Sequence, residues 1–263
     1  MKLSACLRTF AVAALCLVVP LAARAENAPE PAKLSPGLEK LTAKDTPLKK
    51  DMKIAFFGDS VTMQGGYITT IRAALKNSPN TRDLNVKLLQ HGLNGGRVPT
   101  VLEGKSPWGD LGGTMESLLE KEKPNAVVIY LGINDVWHGA KGTTKPDFEA
   151  GLAKMVALCK KINATVVLCT PTIIGEEVEN NKLNDQLDEY SDIVRALAKQ
   201  GKLTLCELHN AFLDELKKVN TENKHKGNLT YDGVHMNKDG NALLADRISL
   251  ALVTALKRQG DHP

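Results

Sequence analysis

Ser60 lies where a serine hydroxyl could act as a nucleophile, directly after the apolar stretch KIAFFG and the acid Asp59. A serine hydroxyl is a weak nucleophile near neutral pH unless a base lies within hydrogen-bonding distance and a third group orients that base. His235 has a carboxylate three residues earlier, at Asp232. A turn of that length can bring the carboxylate to Nδ1 of the ring and leave Nε2 free for Ser60. Ser60, His235 and Asp232 are therefore our candidates for nucleophile, base and orienting acid.

Acyl transfer by a serine also needs hydrogen-bond donors aimed at the oxyanion that develops on the substrate. Ser60 can offer its own backbone N–H if it begins a helix. The stretch HGLNGG at residues 91–96 contains three glycines, which allow the backbone to approach a substrate closely, and Asn134 could add a side-chain amide. The chain thus contains the groups that this chemistry requires, provided that the fold brings them together.

Each of these residues also fits a structural role, and the residues alone leave that alternative open. Ser60 could cap a helix, and Asp232-Gly233 could form a turn before a helix that His235 caps. Asn134-Asp135 is a common turn pair after a strand. In a flavodoxin-like binding protein, GDSVT at residues 58–62 could instead hold a phosphate at a helix N-terminus.

The elements that must position these residues alternate between short apolar stretches and amphipathic ones. Five stretches are typical of buried strands, namely KIAFF, NVKLLQ, AVVIYLG, TVVLCT and LTLCEL. Helical patterns fall between and after them, at residues 66–76, 114–122, 147–161, 183–200, 211–219 and from 238 onward. This alternation predicts an α/β fold with a parallel sheet and helices on both faces. Because ligands bind at the carboxyl ends of such strands, the candidate residues are expected to meet at one end of the sheet.

Four short blocks resemble, in order and spacing, those of the SGNH hydrolase superfamily, also called the GDSL esterases and lipases. The blocks are GDS at 58–60, HGLNGG at 91–96, GIND at 132–135 and DGVH at 232–235, and the resemblance spans residues 52–256. It implies a three-layer α/β/α, flavodoxin-like fold with a parallel five-stranded sheet and the second strand at one edge. It also implies Ser60 as nucleophile, His235 as base and Asp232 as its partner.

The resemblance further implies an oxyanion hole formed by the Ser60 N–H, one loop glycine and the Asn134 amide. Aligning the block HGLNGG with the family pattern favours Gly95 as the loop glycine. Gly92 and Gly96 remain open as alternatives.

Two positions depart from the family pattern without removing a reacting group. Gln64 stands where a glycine is common, so that the glycine falls at Gly65, and Met236 replaces the proline that often follows the last histidine. Asp59 is expected to fix the serine turn by bonding to loop amides.

The first 25 residues have the pattern of a secretory signal peptide, with a short basic start, an apolar stretch and the small residues of ARA at 23–25. We expect cleavage near Ala25 and a secreted or periplasmic protein; retention as a membrane anchor is the alternative.

Residues 26–50 contain four prolines and are expected to form a linker or surface arm, with a single catalytic domain at 51–263. The leader carries Lys2, Arg8 and Arg24, and the net charge falls from +4 to +1 without it. We therefore expect neither a nucleic-acid partner nor a membrane span in the mature chain.

Three cysteines follow the leader, at Cys159, Cys169 and Cys206, each among apolar residues and without a CxxC spacing. We expect buried free thiols, with one disulfide and a remaining thiol as the alternative. The chain contains neither HExxH nor HxxxH, so we expect no metal and no cofactor.

Taken together, the residues and the resemblance predict a carboxylic-ester hydrolase that acts on short acyl esters, with O-acetyl groups on carbohydrates as a narrower prediction. The partner is then a small-molecule or glycan ester. Trp108, Trp137 and His91 lie in segments near the candidate site and are predicted to contact substrate. The alternatives are a lysophospholipase or thioesterase, and an inactive binding module of the same fold.

Overall fold

The computed structural model describes residues 33–260, which contain a five-stranded sheet and a separate two-stranded hairpin. The strands are β1 (Lys53–Gly58), β2 (Lys87–Gly92), β3 (Lys105–Ser106), β4 (Gly109–Asp110), β5 (Ala126–Tyr130), β6 (Thr165–Cys169) and β7 (Thr204–Cys206). The sheet runs in the order β2–β1–β5–β6–β7, and each neighbouring pair is parallel. The five predicted strands are confirmed, as is the place of the second strand at an edge.

Ten α-helices within the described residues connect or flank these strands. They are α1 (Pro36–Leu41), α2 (Ser60–Gln64), α3 (Gly66–Asn77), α4 (Val98–Glu103), α5 (Met115–Glu122), α6 (Ile133–Trp137), α7 (Lys145–Lys161), α8 (Lys182–Gln200), α9 (Leu208–Val219) and α10 (Lys238–Gly260). Side-chain caps precede three of the predicted helices, α5, α7 and α8. Thr114 accepts the Ser117 N–H before α5, Thr144 accepts the Asp147 N–H before α7, and Asn181 caps α8.

Each face of the sheet carries its own apolar core. On β1, Ile54 and Phe56 point to the core formed with α1, α3, α9 and α10, whereas Ala55 and Phe57 point to the core formed with α5 and α7. Successive side chains of a strand point to opposite faces, so a strand covered on both sides must be apolar throughout. This requirement explains the continuous apolar stretches of the sequence, and the three-layer α/β/α arrangement is confirmed.

Residues 36–50 are part of the folded domain, which differs from the prediction of a linker or surface arm over residues 26–50. Residues 26–32 of that prediction lie outside the described residues. Residues 36–41 form α1, and Leu38, Leu41 and Leu48 are buried in the core beside α10. The prolines do not prevent this, because Pro36 occupies the first helical position, where the missing N–H has no intrahelical partner. The predicted leader, at residues 1–25, lies outside the described residues.

The chain changes direction across the sheet at β1. From β1 it moves outward to β2, then crosses back to β5 on the other side of β1. Such a switch point opens a crevice at the carboxyl ends of the two central strands. Ser60 follows β1 and Asn134 follows β5, so the two residues lie on either side of that crevice.

The three cysteines of the described residues are free and buried, as predicted. Cys169 and Cys206 are register partners on β6 and β7. Burial raises the pKa of Cys159 to about 12, and burial together with the neighbouring Cys206 holds the pKa of Cys169 well above its usual value. These thiols are therefore packing groups.

No helix between residues 33 and 260 combines the length and the apolar character that crossing a bilayer demands.

Candidate active site

Ser60, His235 and Asp232 form an unbroken line of hydrogen-bonding groups, although Ser60 and His235 are 175 residues apart in the chain. Ser60 Oγ lies 2.9 Å from His235 Nε2. On the other side of the ring, His235 Nδ1 lies 2.7 Å from Asp232 Oδ2. The structure thus brings Ser60 to the Asp232–His235 pair from a distant part of the chain.

The Asp232 carboxylate is held in place by its own loop. Its Oδ1 accepts the backbone N–H of Val234 at 3.0 Å and that of His235 at 2.7 Å. Burial alone would raise the pKa of Asp232, but the hydrogen bonds from the His235 ring and from the two N–H groups outweigh it and lower the pKa below its usual value. An ionised Asp232 keeps the proton of a neutral His235 on Nδ1 and leaves Nε2 as an acceptor for the Ser60 hydroxyl.

The turn that carries Ser60 is built by the residues on either side of it. Asp59 caps α2 by accepting the Val61 N–H at 2.9 Å; the bond predicted to a loop amide is thus made to the first turn of a helix. Gly58 allows the turn to be tight, because a Cβ there would come within 2.1 Å of Thr62 Oγ1. Ser60 is then the first residue of α2, and its N–H has no recorded hydrogen-bond partner among residues 33–260.

Two buried carboxyl groups stand beside Ser60 and Asn134. Burial raises the pKa of Asp59 to about 7, although the hydrogen bond from Val61 and the nearby His235 act to lower it. Burial also raises the pKa of Asp135 to about 6. Within the described part of the chain, Oδ2 of each acid is buried without a hydrogen-bond partner. Both groups are therefore much harder to ionise than an exposed aspartate.

The three glycines of HGLNGG have different surroundings. A Cβ on Gly92 would lie 2.0 Å from the backbone nitrogen of Met63, so Gly92 allows β2 to pack closely against α2. The Gly96 N–H already donates to Leu93 O at 2.8 Å. Gly95 adopts a left-handed conformation with φ of 61°, and no acceptor for its N–H is recorded within residues 33–260. The structure thus leaves the Gly95 N–H available in the loop, whereas the Gly96 N–H is occupied.

Asn134 is buried in the first turn of the short helix α6. Its side-chain Nδ2 donates to the Gly96 carbonyl at 3.2 Å, which ties the amide to the glycine loop after β2. The amide has a second N–H, and that group can serve a ligand while the first holds the side chain in place.

Four of the six large hydrophobic side chains that are exposed within the described residues belong to the segments that carry these groups, namely Met63, Trp108, Trp137 and Tyr231. Trp108 lies in the turn between β3 and β4 and is 61% exposed. Its ring covers the Gly95 backbone so closely that a Cβ there would lie 2.3 Å from a ring carbon. The two tryptophans that the sequence singled out are therefore accessible beside the candidate site.

Aromatic rings are paired on both sides of the site. Trp108 lies parallel to the His138 ring at a centroid distance of 6.0 Å. Tyr231 lies parallel to His235 at 5.8 Å, and its hydroxyl accepts a hydrogen bond from Gln64 Nε2 at 2.8 Å.

Tyr231 and Gln64 were not predicted as site residues. Gln64 occupies a position where the family commonly has a glycine, and that departure was the available signal. Its side chain reaches Tyr231 OH, while Gly65, with φ of 65°, ends α2 one residue later. For Tyr231, the signal was its place directly before Asp232.

The prediction that His91 contacts substrate is wrong. The side chain is 11% exposed, stacks on Phe57 at a centroid distance of 4.7 Å, and places Nε2 2.7 Å from Glu122 Oε2. The His91 side chain points from β2 toward one apolar core of the sheet, and its Nε2 is paired there with Glu122.

Within residues 33–260, no three His, Cys, Asp or Glu side chains are grouped so that they could hold a metal ion.

A serine, a histidine and a carboxylate in this geometry, at the switch point of a parallel sheet, are the groups that serine hydrolases use. Comparison with known proteins agrees with this class. Residues 56–243 match the model of the GDSL-like lipase/acylhydrolase family. An acetylxylan esterase from Geobacillus stearothermophilus is 26% identical over 215 residues, which cover 73% of this chain and 90% of that protein.

Solved structures show the same likeness. The crystal structure of an acetyl xylan esterase, AlAXEase, is 34% identical, with a TM-score of 0.68, and the match covers 75% of this chain and 98% of that one. An alpha/beta hydrolase enzyme from the metagenome of Lake Arreo, Spain, shares the fold with a TM-score of 0.66 at 21% identity, over 80% and 98% of the two chains.

The chain belongs to the GDSL-like lipase/acylhydrolase family, within the SGNH hydrolase superfamily. It is a carboxylic-ester hydrolase.

Proposed function

We propose that this protein is a serine esterase that works through a Ser60–His235–Asp232 triad and an acyl-enzyme. The observation that carries the proposal is the line of hydrogen-bonding groups from Ser60 Oγ through the His235 ring to Asp232. His235 Nε2 removes the proton from Ser60 Oγ as that oxygen attacks the ester carbonyl. The same nitrogen then returns the proton to the leaving alcohol, and Asp232 stabilises the positive charge on the ring in between.

Hydrolysis of the acyl-enzyme repeats these steps with water as the nucleophile. His235 takes a proton from water as the water oxygen attacks the acyl carbon, and then gives that proton to Ser60 Oγ as the ester bond to the serine breaks. The products are the free carboxylic acid and the regenerated serine. None of these steps calls on a group beyond the protein, the ester and water.

We assign the oxyanion hole to the Ser60 N–H, the Gly95 N–H and the Asn134 side-chain amide. The support is that the N–H groups of Ser60 and Gly95 have no recorded partner in the described residues, whereas that of Gly96 is occupied. Asn134 is held against the Gly96 carbonyl by one N–H, so its second N–H is placed beside the same loop. Losing one such donor typically lowers turnover by about 10²–10³-fold.

The substrate that we propose is a short acyl ester, in particular an O-acetyl group on a carbohydrate. Two relatives are named for esterase activity on acetylated xylan. Trp108 and Trp137 present exposed aromatic faces beside the site, and such faces suit the apolar side of a sugar ring. A lysophospholipase or thioesterase activity is the competing proposal, and acyl-chain length separates it from this one.

We also propose export from the cytoplasm, because residues 1–25 have the pattern of a signal peptide.

The first test is the substitution Ser60→Ala, with Ser117→Ala on exposed α5 as the matched control. We expect Ser60→Ala to lower kcat for p-nitrophenyl acetate by at least about 10³-fold, since the nucleophile is lost, while the far-UV circular dichroism spectrum stays that of the wild type. The Ser117→Ala variant should retain wild-type turnover. Unchanged turnover in Ser60→Ala would remove Ser60 from the mechanism.

A substrate panel on the wild-type protein then addresses the acyl group and the alcohol. Acetyl, butyryl and octanoyl p-nitrophenyl esters, and acetylated xylooligosaccharides, are compared by kcat/KM. We expect acetyl esters to be preferred over octanoyl ones. The opposite order would favour the lysophospholipase or thioesterase proposal, and no turnover on any ester would favour a binding module.

A further inference from the structure

The segment that carries Asp232 and His235 contains no helix and no strand of the sheet. Between α9 and α10, residues 228–236 form turns and bends, with one isolated bridge between Thr230 and Met236. Hydrogen bonds within the loop, such as that from the Tyr231 N–H to the His235 carbonyl, shape it locally but do not tie it to the sheet. Contacts from outside the loop must therefore fix its position, because Asp232 and His235 have to meet Ser60 within tenths of an ångström.

One buried carboxylate supplies most of the outside contacts. Glu176 lies in the loop after β6 and has no exposed surface. Its Oε1 accepts the N–H of Leu229 at 2.8 Å, and also the N–H and the hydroxyl of Thr230, at 2.5 and 2.6 Å. Its Oε2 accepts the N–H and the side-chain amide of Asn228, at 2.7 and 2.8 Å. One side chain thus binds three consecutive residues of the segment, which lie more than 50 positions away in the chain.

These contacts continue to the residue beside Asp232. The Thr230 hydroxyl donates to Glu176 and accepts the N–H of Gly233 at 3.1 Å. The Gly233 carbonyl in turn accepts the N–H of Gly175, next to Glu176, at 2.7 Å. Gly233 is therefore held on both sides, and its neighbour Asp232 is held with it.

The charge on Glu176 is stabilised by these donors alone. No Lys, Arg or His side chain within the described residues pairs with the carboxylate. Burial alone would raise the pKa of Glu176, but the hydrogen bonds from Thr230, Asn228 and Leu229 outweigh it and lower the pKa below its usual value. The carboxylate is thus ionised across the neutral range and remains a full acceptor for all five donors.

We propose that Glu176 is a positioning residue for the esterase reaction, which fixes residues 228–233 so that Asp232 and His235 align with Ser60. Glu176 does not touch the reacting atoms and acts through Thr230 and Gly233. The inference rests on the proposed triad. It adds a residue that neither the family blocks nor the triad geometry includes.

The substitution Glu176→Gln tests this role most directly, because glutamine keeps the size of the side chain and replaces one acceptor oxygen by an NH₂ group. That NH₂ would face N–H donors, so at least two of the five hydrogen bonds are lost. Glu177→Gln is the matched control. Glu177 is the next residue in the chain, and its carboxylate pairs with His225 at 2.8 Å without bonding to residues 228–230.

We expect Glu176→Gln to lower kcat for p-nitrophenyl acetate on the order of 10- to 100-fold, because small displacements of catalytic groups have effects of that size. KM should stay within about twofold, since the proposed oxyanion groups and the two tryptophans, Trp108 and Trp137, are untouched. Inactivation by phenylmethylsulfonyl fluoride, which reacts with an activated serine, should slow by a similar factor. All rates are divided by the folded fraction, measured by circular dichroism at the assay temperature. Glu177→Gln should match the wild type in each measurement.

A second pair of variants keeps the proposal testable if Glu176→Gln does not fold. Thr230→Val removes the hydroxyl that links Glu176 to Gly233, and Thr230→Ser retains it. We expect Thr230→Val to lower kcat several-fold and Thr230→Ser to keep turnover near that of the wild type.

Two results would overturn the proposal. One is a folded Glu176→Gln variant with wild-type kcat. The other is a Thr230→Val variant that turns over like Thr230→Ser. Failure of the proposed function looks different, since in that case the wild-type protein itself would neither hydrolyse esters nor react with the sulfonyl fluoride.

Discussion

At the scale of single residues, the raised pKa values of the two buried acids next to Ser60 and Asn134 make the stability of the protein depend on pH. Asp59 and Asp135 each use one oxygen to accept a backbone N–H at the start of a helix, from Val61 of α2 and from Val98 of α4 respectively. The second oxygen of each is buried without a partner in the described residues. The hydrogen bond that each acid accepts forms in either protonation state. Ionisation of either acid, in contrast, destabilises the folded protein, because the charge is buried.

The pKa of Asp59 predicts a pH-dependent effect of Asp59→Asn on stability. Because folding raises this pKa from 3.8 to about 7, the group's contribution to stability is full below the unfolded pKa and is lost as pH rises through the folded pKa. Asparagine keeps Oδ1 for Val61 and never ionises. The free energy of unfolding of the variant, minus that of the wild type, should therefore increase as pH rises from 5 to 8. The increase should be on the order of a few kcal/mol, at about 1.4 kcal/mol per pKa unit.

Urea denaturation of both proteins at pH 5 and pH 8 measures this difference in the free energy of unfolding. Taking the difference between variant and wild type removes the contribution of Asp135, which titrates in both. Asp135 and His235 are the charged neighbours that act on Asp59. A difference that is constant with pH, or larger at pH 5, would show that Asp59 is already ionised in the fold.

At the scale of elements, α1 extends the domain toward the N-terminus and packs along α10. The two helices approach so closely that a Cβ on Gly37 would lie 1.9 Å from the Asp246 carbonyl oxygen. The Gly37 N–H lies in the first helical turn and so has no acceptor within α1; it donates to Asp246 Oδ1 at 2.7 Å. A short helix of six residues is not stable alone, so its formation depends on this packing.

Substitution of Leu41 tests the structural importance of α1. Leu41 has no exposed surface, and Leu41→Ala should lower the free energy of unfolding by about 2–5 kcal/mol through lost burial and the cavity left behind. Leu34→Ala is the control, because Leu34 is 37% exposed just before the helix and should change stability by less than about 0.5 kcal/mol. Equal effects of the two substitutions would mean that α1 does not contribute to the core.

The elements differ in how far the sequence predicts them. The strands of the sheet and the long helices are predictable, since burial on both faces or on one stripe imposes a pattern over several residues. Helix α1 is too short for a helical period and lies among prolines. Helices α2, α4 and α6 are also too short for a helical period, and the strands of the hairpin have only two residues each.

The residues of the site also differ in how far the sequence predicts them. Ser60, His235 and Asp232 lie in short blocks whose residue types indicate chemistry. Glu176 contacts residues more than 50 positions away, and no local pattern encodes such a contact. His91 was misassigned because its neighbours in the sequence do not reveal that its ring turns toward the core.

At the scale of the whole molecule, the proposed site exists only when the first strand and the last loop of the domain meet. Its groups come from the segments after β1, β2 and β5 and from the loop before α10. The sheet places the first three at one end, and Glu176, from the loop after β6, holds the fourth. Activity should thus depend on the integrity of the entire domain.

Delivery of the whole chain can be tested through its first residues. If residues 1–25 are a signal peptide, the exported protein should begin at Glu26, as measured by intact mass or N-terminal sequencing of protein from outside the cytoplasm. Ala23→Asp places a charge where a small residue is required and should leave the precursor uncut. A wild-type protein that retains residues 1–25 after export would instead support a membrane anchor.

Cys169 and Cys206 lie side by side on β6 and β7 as free, buried thiols, and this has a consequence for production of the protein. Thiolates are the species that oxidants attack, and burial holds the thiols of Cys159 and Cys169 in the protonated form at neutral pH. The domain of residues 33–260 therefore reaches its native state without any disulfide to form or reshuffle. We therefore expect the same fold from production in a reducing host cytoplasm.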